Sequence, residues 1–168
     1  TDEFNYMTSE ILSFVIPFYE KEGKGSVHRG IGCTGGRHRS VYCTETVAKM
    51  LAERGIYGYA INLGGNLRTV GTKPNGDGWV AGVQNPDKSA ADPYVTTLTI
   101  SDSALVTSGV YERYYVVDGV QYHHIIDKDT LMPSEHFSSV TIIAKDSGLA
   151  DSLSTALFAM TYEEGLAL

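Results

Sequence analysis

At 168 residues, 42% apolar and 20% charged, the chain is long enough for one domain with a sizeable core and has the composition of an ordinary globular protein. Its net charge of -7 argues against sequence-independent nucleic-acid binding over the whole surface. No apolar run approaches the ~18 residues that span a membrane, no signal peptide opens the chain, and Cys33 and Cys43 make no disulfide framework, which favours a reducing compartment.

In chain order, residues 7–19 read as an amphipathic helix with Ile11, Leu12, Val15, Ile16 and Phe18 on one side. Thr8 or Ser9 is placed to cap it, and Pro17 is expected to end or kink it. Residues 21–26 form a flexible turn and 27–32 a short strand. A second helix spans 41–54, with Val47, Met50 and Leu51 inward and Gly55 as its stop. A strand over 57–63, a tight Gly64-Gly65-Asn66 turn and a strand through Val70 follow, then a hairpin signal at 73–78. Further strands are expected at 79–84, 94–100, 104–107, 113–117, 121–126 and 139–144, with turns at Ser101-Asp102 and Asp118-Gly119. A last helix covers 150–160. The tyrosines of these strands (Tyr111, Tyr114, Tyr115, Tyr122) read as core and sheet surface. The order is helix, loop, helix, a mostly antiparallel sheet and a helix, which is an α+β fold.

The chemistry concentrates first at residues 31–41, Ile-Gly-Cys-Thr-Gly-Gly-Arg-His-Arg-Ser-Val. A Gly-rich loop opening into a helix points several N–H groups at one spot, where the helix dipole favours negative charge. Arg37 and Arg39 add forked donors suited to phosphate. Cys33 and Arg39 also stand in a Cys-x5-Arg spacing followed by Ser40, the logic of a cysteine-dependent phosphatase. Gly32 stands where a histidine usually precedes such a cysteine, and no aspartate acid can be placed. The reading preferred over a phosphatase is a structural cysteine beside an anion-binding loop.

Residues 14–51, with Phe-Val-Ile-Pro-Phe-Tyr-Glu-Lys-Glu-Gly-Lys and then Gly-Cys-Thr-Gly-Gly-Arg-His-Arg-Ser-Val, resemble the C-terminal domain of the RapZ family. The resemblance implies binding of a sugar phosphate or nucleotide at Gly35, Gly36, Arg37, His38, Arg39 and Ser40.

From Gly55 onward the resemblance is to another family. Ile61-Asn62-Leu63-Gly64-Gly65-Asn66, Gly71-Thr72-Lys73-Pro74, Val83-Gln84-Asn85-Pro86, Thr107-Ser108-Gly109-Val110-Tyr111-Glu112-Arg113-Tyr114, His124-Ile125-Ile126-Asp127 and Ala150-Asp151-Ser152-Leu153-Ser154-Thr155-Ala156 are similar to ApbE, the FAD:protein FMN transferases. The resemblance implies a T-fold-like C-terminal half, FAD as substrate, Mg²⁺ as cofactor and an acceptor protein that receives FMN on a threonine. Asp151 and Thr155 share one helix face and inherit the metal role, as hard oxygen ligands for Mg²⁺. An aspartate that complements the helix dipole is the other reading of Asp151. His124 inherits the catalytic base, against a half-buried strand histidine. Ile126 matches a position that meets the flavin. Ser40 falls near a lysine that contacts the cofactor in that family, whose Gly-x-x-x-Lys-Gly-Tyr element is replaced here by the RapZ-type loop. Asn66 and Arg113 read as a turn residue and a paired surface charge. The expected organisation is a composite of residues 1–54 and 55–168 joined within 44–55. The RapZ-like part points to the cytoplasm, whereas ApbE-like proteins often act outside it.

Overall fold

The computed structural model describes residues 2–22, 39–62 and 64–168. The expected strand at 27–32, and Gly35, Gly36, Arg37, His38 and Cys33 of the Gly-rich loop, lie outside the described residues. Two helices come first, α1 (Asp2–Lys21) and α2 (Arg39–Glu53). Eight strands follow: β1 (Tyr59–Asn62), β2 (Asn66–Val70), β3 (Trp79–Gln84), β4 (Tyr94–Ile100), β5 (Ala104–Gly109), β6 (Tyr114–Val117), β7 (Val120–His123) and β8 (Ser139–Ala144). Helices α3 (Ser147–Phe158) and α4 (Tyr162–Ala167) close the chain. The fold is α+β with antiparallel pairing throughout the described strands, as the sequence predicts.

The central element is β5. The four-stranded sheet runs β1-β2-β5-β8. Side chains alternate across a strand, so Ala104 and Val106 meet Ala150 of α3 on one face. Leu105 faces the other way, into Ala81, Val83 and Ile100 of the separate β3-β4 sheet. Burial on both faces explains why this strand opens with an uninterrupted Ala-Leu-Val. Gly82 is required on β3 because the ring of Tyr94 lies 2.4 Å from where a Cβ would stand.

Several expected boundaries change. Helix α1 starts five residues before the expected helix, so Thr8 and Ser9 are not caps. Both are fully buried, and Ser9 Oγ donates to the Tyr6 carbonyl inside the helix. Pro17 does not end the helix, which continues to Lys21. A proline there forfeits one N–H and crowds the carbonyl four residues back, and α1 keeps its helical course while packed on α2. Of the apolar residues grouped on one side of this helix, Ile11 and Phe18 are exposed. Helix α2 matches expectation: Val47 and Leu51 are buried, and Gly55, at φ +71°, stops it with its N–H on the Ala52 carbonyl.

The hairpin expected at 73–78 is not one, because β2 and β3 belong to different sheets. The Asp118-Gly119 turn is a hairpin turn, with both residues at positive φ, joining β6 to β7. All four residues of β6 are exposed, so Tyr114 and Tyr115 lie on the surface and not in the core. Strand β7 stops at His123, three residues early, because the ring Nδ1 of His123 accepts the Ile125 N–H. That local bond takes the backbone out of the ladder. Helix α3 begins at Ser147 and not Ala150, capped by Asp146, whose Oδ1 accepts the Leu149 N–H at 2.7 Å. Helix α4 was not expected, although its Thr161-x-x-Glu164 capping box is written in the sequence. Among the described residues no helix is long and apolar enough to cross a membrane.

Candidate active site

Helix α3 lies against β5 and β8 with Ser147, Ala150, Ser154 and Phe158 buried. The face beside that buried stripe carries Asp151 and Thr155, one turn apart. Thr155 Oγ1 donates to the Asp151 backbone carbonyl at 3.1 Å, and Ser154 Oγ donates to the same carbonyl at 3.0 Å. Ser108 of β5 completes the group. Its Oγ lies 2.9 Å from Ser154 Oγ and 3.4 Å from Thr155 Oγ1. With the Ser154 proton committed to the carbonyl, Ser108 is the donor to Ser154. Thr155 likewise spends its one proton on the helix, so the lone pairs of its exposed oxygen are left for a cation. A carboxylate and a cluster of hydroxyls is the oxygen-only donor set that Mg²⁺ prefers, with waters or phosphate oxygens completing its shell. Among the described residues no group of three His, Cys, Asp or Glu side chains could hold a metal by itself, so such a site needs ligand oxygens as well.

The segment after β7 reaches the C-terminal end of the same helix. The His123 ring meets Phe158 edge-on at 5.6 Å between centroids, and Ser134 Oγ donates to the Phe158 carbonyl at 2.8 Å. His123 is buried and structural: its Nδ1 accepts the Ile125 N–H, so Nε2 carries the proton and donates to the Ser134 carbonyl at 2.9 Å. His124 points elsewhere and is exposed. Its Nδ1 lies 3.2 Å from the Arg113 carbonyl, which can only accept. Nδ1 therefore carries the proton of the neutral ring, and Nε2 holds the lone pair of a base. The contribution of Arg113 is this carbonyl; its side chain makes no ion pair among the described residues.

Ile126 forms an isolated bridge with Pro133. The bridge uses the Ile125 carbonyl and the Asp127 N–H, so the N–H and carbonyl of Ile126 itself point to the opposite side, beside a half-exposed side chain. Asp127 fixes the turn. Its Oδ1 accepts the Thr130 and Asp129 N–H groups, both at 2.8 Å, and these bonds hold its carboxyl below the usual carboxylate range. His136 Nε2 lies 3.3 Å from the other oxygen. A cleft of about 510 Å³ opens nearby, lined by Val110, Gln121, His123, Ser134 and His136 among others. None of Asp151, Thr155, His124 and Ile126 lines it.

The structure thus brings Asp151 and Thr155 together and sets His124 and Ile126 on the segment packed at the end of their helix. Arg39 and Ser40 are the first two residues of α2. Sequence reasoning gave no role to Ser108 or Ser154. Their signal was faint: small hydroxyl residues on the helix-facing side of a strand and on the inner face of a helix. Asn66 is not a turn residue. It opens β2 and is 2% exposed.

Residues 40–168 match the ApbE family, and residues 1–63 match the RapZ C-terminal domain. The two matches overlap in 40–63, which contains most of α2 and β1. The chain is 34% identical over 137 residues to the FAD:protein FMN transferase of Treponema pallidum, and 36% identical over 127 residues to that of Klebsiella pneumoniae. These alignments take in 76% and 75% of this chain but 37% and 38% of the relatives, so the chain spans little more than a third of their length. Among solved structures, the ApbE protein of Thermotoga maritima is similar at TM-score 0.62 and 38% identity, over 72% of this chain and 37% of that one. The flavin transferase ApbE of Vibrio cholerae is similar at TM-score 0.63 and 33% identity, over 76% of this chain and 40% of that one.

Proposed function

The chain belongs to the ApbE family, and from that premise we propose that it acts in FAD:protein FMN transfer, with FAD as donor and a threonine of another protein as acceptor. The observation that carries this reading is the oxygen array on α3 and β5. Asp151 and Thr155 share one face of α3, and the Thr155 hydroxyl stands 3.4 Å from that of Ser108, inside the part of the chain that matches the family. Asp151 and Thr155 would hold Mg²⁺, which supplies charge neutralisation at a diphosphate. In the reaction the acceptor threonine oxygen attacks the flavin-side phosphorus of FAD. The P–O–P bond opens, AMP leaves, and the hydroxyl proton passes to a base. His124 is that base, since its Nε2 lone pair is the one left after Nδ1 donates to Arg113. Ile126 offers the flavin its outward backbone N–H and carbonyl. Sugar-phosphate or nucleotide binding at residues 35–40 is the lesser reading, carried by the RapZ match alone.

The test is to incubate the protein with FAD, MgCl₂ and a threonine-bearing acceptor protein, denature, and read covalent flavin fluorescence on a gel. The wild-type chain should label the acceptor, and Asp151→Asn and Thr155→Val should not. Absence of label with the wild-type chain, at any magnesium concentration, contradicts the reading.

A further inference from the structure

Asn66 is the first residue of β2 and pairs with Val106 of β5, while Arg68 pairs with Ala104. Paired residues of an antiparallel ladder project to the same face. Val106 and Ala104 pack on Ala150, so Asn66 and Arg68 both face the helices, at the junction where α2, α3 and β2 meet. Both amide atoms of Asn66 are buried and have no hydrogen-bond partner among the described residues. Nε and Nη1 of Arg68 are in the same condition. Among the described residues Arg68 pairs with Glu45 of α2, 3.7 Å from its Nε, and that carboxylate oxygen already accepts the Ser147 hydroxyl at 2.7 Å. Buried amides and guanidinium groups are almost always satisfied, so two side chains with orphaned donors on one face of one strand point to an acceptor. Asn66 lies beside Val106, one helix-facing position before Ser108, on the face of the sheet that α3 covers.

We propose that Asn66 and Arg68 form a buried anion subsite that takes a phosphoryl group through the Asn66 Nδ2 and Arg68 Nη1 donors. The identity of the ligand as one phosphate of the FAD diphosphate rests on the transferase reading above; the subsite itself does not. The strand thereby acts opposite the cation ligands of α3, with donors on one side of the diphosphate and oxygen ligands on the other.

The experiment titrates pyrophosphate with MgCl₂ into the full chain by calorimetry and measures ligand-free melting of the same samples. Wild type should bind, and Asn66→Leu and Arg68→Met should each bind at least tenfold more weakly. Without ligand, Asn66→Leu should melt at or above the wild-type temperature, because it removes an orphaned amide at nearly constant volume. Asn66→Asp, which keeps the shape and adds a repelling charge, should also lose binding. Undiminished pyrophosphate affinity in Asn66→Leu and Asn66→Asp overturns the subsite, as does a wild-type chain that binds no pyrophosphate. A marked drop in the ligand-free melting temperature of Asn66→Leu overturns it too, since the amide is then structural. Pyrophosphate binding that persists where flavin transfer fails would sink the transferase reading and leave the subsite standing.

Discussion

Tyr59 shows how much one side chain carries at the join between the helices and the sheet. It stands on β1 and donates its hydroxyl to the Ala48 carbonyl of α2 at 2.7 Å. Burial pushes its phenol up to about 12, partly offset by the Arg68 guanidinium. The folded pKa exceeds the unfolded value of ~10, so the stabilisation is complete below pH ~10 and is lost as pH rises toward 12. Tyr59→Phe should therefore cost about 1 kcal/mol at pH 7 and make stability fall less steeply between pH 10 and 12, as read by urea titrations across that range. This role was not legible beforehand, since it depends on which helix the strand meets. His124 and Asp151 were singled out through motifs that resemble ApbE, and their proposed roles rest on that resemblance. Asn66 was misread because a Gly-Gly-Asn run signals a turn, and only the register of β2 against β5 shows that the third residue has already entered the sheet and turned inward.

At the scale of elements, α3 decides whether the site exists, since it holds both Asp151 and Thr155 and its first turn depends on Asp146. Asp146→Ala removes the acceptor of the Leu149 N–H and should cost ~1 kcal/mol of stability in a denaturant titration. Magnesium-dependent binding of FAD should weaken with it, through fraying of the turn that leads into Asp151. The other end is tied by Ser134, whose buried hydroxyl satisfies the Phe158 carbonyl. Ser134→Ala should destabilise by roughly 1–3 kcal/mol, because it leaves a buried carbonyl without its partner. Chemical denaturation of this variant beside Ser152→Ala, an exposed hydroxyl on the same helix, separates the two effects. Strand positions were read well where alternation or β-branching was strong, as in β3, β4 and β8. They were read poorly where a side chain competes for the backbone, as His123 does, or where a cap lies outside the apolar pattern, as Asp146 does. The Lys73–Gly78 stretch carries turn residues that are correctly turn residues; what the sequence lacks is any mark that the strands on either side part into different sheets.

At the scale of the whole molecule, the match to the ApbE family and the match to the RapZ C-terminal domain overlap on α2 and β1. The structure shows what ties that overlap together and joins it to the rest. Tyr59 reaches Ala48, Arg54 pairs with Glu10 of α1, and Glu45 stands between Ser147 of α3 and Arg68 of β2. A helix that serves as the junction is thus fastened on three sides, and the sheet beneath it presents Asn66 and Arg68 to the helix layer. The central claim is that the α3 oxygen array and His124 transfer FMN from FAD. The measurement that tests it most directly counts products: AMP released by chromatography and FMN attached to the acceptor threonine by mass spectrometry, in the same reaction. The account predicts one AMP for each FMN attached, with both falling about 10²-fold or more in His124→Ala at unchanged magnesium-dependent FAD binding. AMP release without attached FMN, or equal transfer by His124→Ala, would contradict it.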